Sequence, residues 1–169
     1  MLINCDNIIL WRHAEAAVAS DFSLKSDMAR ALTPKGQRQA KRMARWLKPH
    51  LPENSLLLSS AALRAFQTAQ ALNDRAAYAK INVHSALNPT ASLREILDYL
   101  ASFSSKSNLL LVGHQPLLGR LAGHLLGLGV SDLNIKKGAI CWLRLESNPA
   151  NLNQSSRYEI VSVQTPNLV

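Results

Sequence analysis

The sequence predicts an α/β fold with a mainly parallel central sheet covered by helices on both faces. Three observations lead there. Short apolar runs alternate with helix-length segments along the chain. Most of those runs lack the in–out alternation of a half-exposed strand, as strands buried on both faces must. The 169 residues suffice for one domain with a substantial core and are too few for two, so a single domain over residues 1–169 is expected.

The strand-like runs are "IILW" (8–11), "SLLLSS" (55–60), "INVHS" (81–85), "NLLLVG" (108–113), "AICWLRL" (139–145) and "YEIVSV" (158–163). The last two come closer to alternation and are expected to be antiparallel or near an edge. The first helix is "TPKGQRQAKRMARWL" (33–47), with Thr33 as cap and Pro34 in the first position. Gly36, Ala40, Met43 and Leu47 share one narrow face, and Lys35, Arg38, Arg42 and Arg45 gather opposite it. That basic face is either simply solvated or a docking stripe for an acidic partner. A second helix follows Ser60 over "AALRAFQTAQALN", and a third, "TASLREILDYLASF", has Thr90 as its expected cap. A fourth, "PLLGRLAGHLLG" (116–127), is started by Pro116, stopped by Gly127 and Gly129, and apolar around most of its circumference. Segments 17–32 and 146–157 read as loops.

Composition excludes several classes. The charged fraction of 18% and hydrophobic fraction of 47% are those of a globular chain. No run approaches the roughly 18 apolar residues of a spanning helix, so no membrane partner is expected. The start of the chain, "MLINCDN", has neither a basic n-region nor an apolar h-region. Cys5 and Cys141 match no metal spacing and cannot densely staple a domain of this size. A cytoplasmic location is expected. The net charge of +8 suits nucleic acid, anionic lipid, acidic proteins or phosphorylated substrates. Nucleic acid is not expected, because aromatics are only 5% of residues and no zinc-finger or RNA-binding pattern occurs.

Three strand ends carry groups that packing alone does not explain. The first strand runs into Arg12 and His13, the second into Ser59, Ser60 and then Arg64, and the fourth through Gly113 into His114. In open α/β sheets ligands bind beyond the carboxyl ends of parallel strands, so neighbouring strands would bring two arginines and two histidines into one crevice. Guanidinium forks bind phosphate oxygens bidentately and stay charged. Free amides opening the helices after Ser60 and His114 would add anion affinity. A neutral imidazole can attack phosphorus, and neighbouring cations would keep His13 unprotonated. Each residue also has a plainer role as a hydrogen-bonded core or surface group. Their conjunction is what points to phosphoryl chemistry. His50, His84 and His124 lack such a setting and are expected to be structural, and Trp11, Trp46 and Trp142 to be core.

"LWRHAEA", "LTPKGQRQA", "SSAALRAFQTA" and "LLLVGHQPLLGRL" together resemble, in order, the motifs of the histidine phosphatase superfamily, whose fold is phosphoglycerate-mutase-like. Short length and "DMARALTPKG" are similar to its SixA-type branch, small bacterial phosphohistidine phosphatases. The resemblance implies a three-layer α/β/α sandwich and a catalytic cycle with no metal and no cofactor. It implies His13 as a transiently phosphorylated nucleophile, Arg12 and Arg64 as clamps on the phosphoryl oxygens, and His114 as a further phosphoryl ligand that stabilises the transition state. Arg30, in the segment matching the branch's Asp-x-x-Arg, would sit at the pocket rim.

Ala14 replaces a frequent glycine and Ala61 a frequent proline. The acidic proton donor of larger members has no counterpart in "HSALNPTAS", which leaves Glu15 as a fallback donor or as the partner of a loop cation. An inserted cap has no room. Both absences favour phosphohistidine on a protein over alcohol phosphates, since a phosphoramidate leaves readily once its nitrogen is protonated. The expected partner is thus a phosphorylated protein such as a histidine-containing phosphotransfer domain. The rivals are a broad-specificity small-molecule phosphomonoesterase and a non-catalytic phosphate- or phosphoprotein-binding module.

Overall fold

Among the residues described by the computed structural model (3–73, 80–104, 106–129, 132–146 and 158–169), six strands form one sheet. They are β1 (Asn7–Arg12), β2 (Leu56–Ser59), β3 (Asn82–Val83), β4 (Asn108–Gly113), β5 (Ile140–Leu145) and β6 (Tyr158–Gln164). Their order is β3-β2-β4-β1-β5-β6. The first four run parallel, and β5 and β6 are antiparallel with β6 at the edge, as their alternation predicted. The helices are α1 (Leu24–Met28), α2 (Pro34–Leu47), α3 (Leu63–Gln70), α4 (Leu93–Leu100) and α5 (Leu117–Leu125).

Continuous apolarity in the strands is explained by two cores, one on each face of the sheet. Ile8, Leu10, Leu109, Leu111 and Leu143 point to one side, against Ile96 and Leu100 of α4 and Leu118, Leu121 and Ala122 of α5. Ile9, Trp11, Leu110, Val112 and Ile140 point to the other, against Ala40, Met43 and Leu47 of α2 and Ala65 and Ala69 of α3. The predicted layers are therefore present. α2 is capped by Thr33, whose hydroxyl accepts from the Gly36 amide, and it buries Gly36, Ala40, Met43, Ala44 and Leu47. Lys35, Arg38, Arg42 and Arg45 are all exposed. Trp11 and Trp142 are core and Trp46 is half-buried.

Several local expectations change. The cap of α4 is Ser92 rather than Thr90: its hydroxyl accepts from the Glu95 amide, and the Glu95 carboxylate reaches back to the Ser92 amide in a capping box. Segment 17–32 holds the short helix α1, capped by Ser23, and is not only loop. The run 81–85 supplies just two strand residues. His84 leaves it to accept from the Ala86 amide and to stack on Tyr99 at 3.6 Å. Residues 147–157 of the expected loop lie outside the described residues. No helix among the described residues is long and apolar enough to cross a membrane.

Gly36 is where α2 meets the chain leaving β1: a Cβ there would lie 1.9 Å from the Glu15 carbonyl oxygen. Alanine has the better helix propensity. Gly36→Ala should nonetheless lower stability by about 1–3 kcal/mol, while Arg45→Ala on the exposed face stays within about 0.5 kcal/mol, both read from denaturant midpoints.

Candidate active site

The sheet register assembles the site. β1 pairs with β4 so that Arg12 lies opposite Gly113, and the His13 amide donates to the Gly113 carbonyl at 3.0 Å. β2 pairs with β4 one residue behind, and the Ser60 amide donates to the Val112 carbonyl at 3.0 Å. Residues 13, 60 and 114 therefore leave three adjacent parallel strands at one end of the sheet. The rings of His13 and His114 are 5.0 Å apart, and both residues are buried, as is Arg64 from the first turn of α3.

His13 is fixed from both sides. Its Nδ1 lies 2.7 Å from the Ala14 carbonyl oxygen, which can only accept, so the ring proton is at Nδ1 and Nε2 keeps its lone pair. Nε2 in turn accepts from Arg64 Nε at 3.3 Å. The Ala14 amide donates to Thr68 Oγ1, whose hydroxyl donates to the Arg64 carbonyl, tying the strand end to the helix that supplies the arginine. Burial pushes the His13 imidazole down to about 4. Its bond to the Ala14 carbonyl opposes that, and the charges of Arg64, Arg12 and Arg30 add to it. The expected cationic influence is present but secondary to burial. His114 is lowered further, by burial first and then by His13, Arg64, Arg30 and Arg12. Both rings are neutral at working pH.

Arg12 extends from β1 and donates through Nη1 to the Ile135 carbonyl at 2.8 Å. Arg64 donates to the Asp27 backbone carbonyl and, at 3.0 Å, to its carboxylate. Asp27 also pairs with Arg30 at 3.2 Å. Asp27, on α1, is therefore the acid that organises two of the arginines. In the sequence, the segment "DMARALTPKG" points to a role only for Arg30. Arg12 Nε, Arg30 Nε and His114 Nδ1 are three of the four buried polar side-chain atoms without a partner among the described residues. The two guanidinium Nε atoms are orphaned donors, and both arginines act electrostatically on His13, which marks the place as a site for an anion.

Two expectations are narrowed. Just before α3, two amides are engaged within the protein: Ala61 donates to Asn88 Oδ1 at 2.9 Å and Ala62 to Ser60 Oγ at 3.1 Å. After His114, the Leu118 and Gly119 amides go to the His114 carbonyl and to Gln115 Oε1. These four amides are committed within the protein. Glu15 meets Lys35 at 2.9 Å and Thr33 at 3.0 Å, and those bonds hold its carboxyl below the usual range. Its partner is thus a helix cation, the plainer of its two expected roles.

A family model described as the histidine phosphatase superfamily (branch 1) matches residues 8–92. The phosphohistidine phosphatase SixA homolog of Haemophilus influenzae is 34% identical over 131 residues, 72% of this chain and 77% of that protein. Phosphohistidine phosphatase SixA of Escherichia coli is 30% identical over 121 residues, 70% of this chain and 73% of that protein. A solved structure of the protein histidine phosphatase SixA complexed with tungstate superposes with a TM-score of 0.74 at 26% identity, covering 95% of this chain and 97% of that one. The chain belongs to the histidine phosphatase superfamily, with its phosphoglycerate-mutase-like fold, and is a phosphatase. Its relatives place it in the SixA-type group.

A histidine held neutral by the fold binds fewer protons folded than unfolded. Stability is therefore full above the unfolded value of 6.5 and is lost as pH falls toward the folded value of about 4. Denaturant midpoints between those limits should decline on the order of 1.4 kcal/mol per pH unit for each such ring, and His13→Gln should flatten the slope.

Proposed function

We propose that the chain hydrolyses phosphohistidine on a protein through a covalent adduct on His13, and that residues 1–169 act as one phosphatase domain. The observation that carries this reading is the one-sidedness of His13: Nδ1 is committed to the Ala14 carbonyl, and the Nε2 lone pair lies against Arg64 beside a second buried imidazole. Arg12 and Arg64 hold the phosphoryl oxygens, Arg30 sits at the rim, and His114 meets the same group. Nε2 attacks phosphorus as the P–N bond to the substrate imidazole breaks. The leaving nitrogen keeps the electron pair and is protonated from solvent. Water then attacks the phosphoryl-His13, releasing phosphate and restoring the neutral ring. Guanidinium groups supply the charge neutralisation, so the scheme uses neither metal nor cofactor.

A phosphoramidate substrate is supported by the state of the carboxylates. Glu15 is held ionised by Lys35 and Thr33, Glu95 closes the α4 capping box, and Asp27 is bound by two arginines. None is placed as a ready proton donor to an alkoxide. A protein substrate is supported by the surface beside the site. A cleft of about 330 Å³ is lined by Arg12, Lys136 and Lys137, and an adjoining one of about 150 Å³ by Lys35, Arg38 and Arg42, with Gln39, Pro166 and Asn167 shared between them. Part of the basic face of α2 thus joins a loop before β5 and leads to Arg12. An acidic carrier, such as a histidine-containing phosphotransfer domain, is the partner such a surface suits. The related SixA proteins are described as phosphohistidine phosphatases. A cytoplasmic location accords with two buried free thiols, Cys5 and Cys141.

His13→Ala should lower turnover by at least about 10⁴-fold, and rapid quenching of the wild type should trap an acid-labile phosphoryl group on His13. Full turnover in that variant would refute the nucleophile. Raising salt from about 0.05 to about 0.3 M should reduce kcat/KM several-fold more for an acidic phosphohistidine protein than for p-nitrophenyl phosphate. A strong preference for p-nitrophenyl phosphate, with no such salt effect, would favour a small-molecule phosphomonoesterase.

A further inference from the structure

The hydrogen bonds around His114 determine where its proton lies. The Ala61 backbone amide, which can only donate, lies 2.9 Å from the amide side chain of Asn88, so the atom it meets is the Asn88 oxygen. Ser60 Oγ lies 3.0 Å from that same oxygen and must spend its single proton there. The hydroxyl then has only lone pairs for its other neighbours, the Ala62 amide at 3.1 Å and His114 Nε2 at 2.9 Å. His114 Nε2 therefore carries the ring proton. Nδ1, buried and without a partner, holds a lone pair.

We propose that Asn88 and Ser60 are positioning residues that lock His114 as the Nε2–H tautomer, so that the ring can meet a phosphoryl oxygen only by gaining a proton at Nδ1. The proposal rests on the reading that His114 is a phosphoryl ligand. A bare lone pair facing an anionic oxygen repels it. Losing the Nε2 proton would set a ring lone pair against the lone pairs of Ser60 Oγ, whose own proton is held by Asn88, so the other tautomer is disfavoured. The proton comes from solvent when a dianion binds, or arrives shared when the ligand is a monoanion; no other bond changes. The charged and titratable groups acting on His114 are His13 and Arg12 from β1 and its end, Arg64 from α3 and Arg30 after α1, with Asp27 paired to the last two. All the cations oppose a proton on the empty ring. The bound anion reverses that balance, because an opposite charge within about 4–6 Å favours the charged form. The site thus couples anion binding to uptake of one proton.

Nitrogen-15 spectra of the imidazole rings, with His114 assigned by its loss in His114→Gln, should show the Nε2–H tautomer in the free wild-type protein and both nitrogens protonated after tungstate is added. Calorimetry in buffers of differing ionisation enthalpy should show close to one proton taken up per tungstate. Asn88→Asp keeps both acceptor contacts and should retain the tautomer, moving the alkaline limb of kcat/KM to higher pH. Asn88→Leu should give mixed tautomers, lose roughly 10-fold in kcat/KM and lose the coupled proton, while Ser60→Ala does the same and Ser60→Thr restores it. An Nδ1–H tautomer in the free wild type, or tungstate bound with no proton gained, would overturn the proposal. If tungstate fails to bind at all, the phosphoryl-site reading falls, while the free-state tautomer still decides the hydrogen-bond assignment.

Discussion

The parallel register of β1 against β4 is the constraint on which the site depends. Pairing Arg12 with Gly113 delivers His13 and His114 to the same level at the sheet end, where their rings lie 5.0 Å apart. A slip of one residue would turn every β1 side chain to the opposite face and send Arg12 and His13 apart from their partners. The two cores prevent it. Ile8 and Leu10 on one face and Ile9 and Trp11 on the other are each enclosed by helices, so neither set can trade places cheaply. Packing far from the phosphoryl chemistry thereby sets its geometry.

The second constraint is charge. Burial first, and then the charges of Arg64, Arg12 and Arg30, keep both imidazoles neutral. Asp27 is the protein's own counter-charge, bonded to Arg64 through both its carboxylate and its carbonyl and paired with Arg30. It aims the guanidinium while leaving Arg64 Nε against His13 Nε2. Arg64 is therefore not an unsupported cation. Truncating Asp27 would leave a buried cation without its partner, a costlier state than either pairing.

Much of this arrangement was legible in the chain. The six strands, the four longer helices and the quartet Arg12, His13, Arg64 and His114 could be read because each follows a local pattern: an apolar run, a capped amphipathic stretch, or a polar group abutting a strand end. What escaped reading came from elsewhere in the chain. Thr68 supports residue 14 across 54 positions, Asn88 reaches Ser60 across 28, and Asp27 reaches Arg64 across 37. Nothing in "LNPTAS" distinguishes Asn88 from an ordinary turn asparagine, and Ser92, not the expected Thr90, caps α4. Only the return bond from Glu95 selects Ser92.

By itself, the amino-acid sequence determined the layers and the chemical cast, because two-sided burial demands uninterrupted apolar strands and phosphoryl transfer demands guanidinium and imidazole groups at their ends. The tertiary structure alone decided how those groups are held: which ring nitrogen bears a proton, which acid answers which arginine, and which helix amides are already spent. Hydrogen-bond direction depends on donors and acceptors meeting at about 3 Å, and that meeting exists only once distant segments have packed.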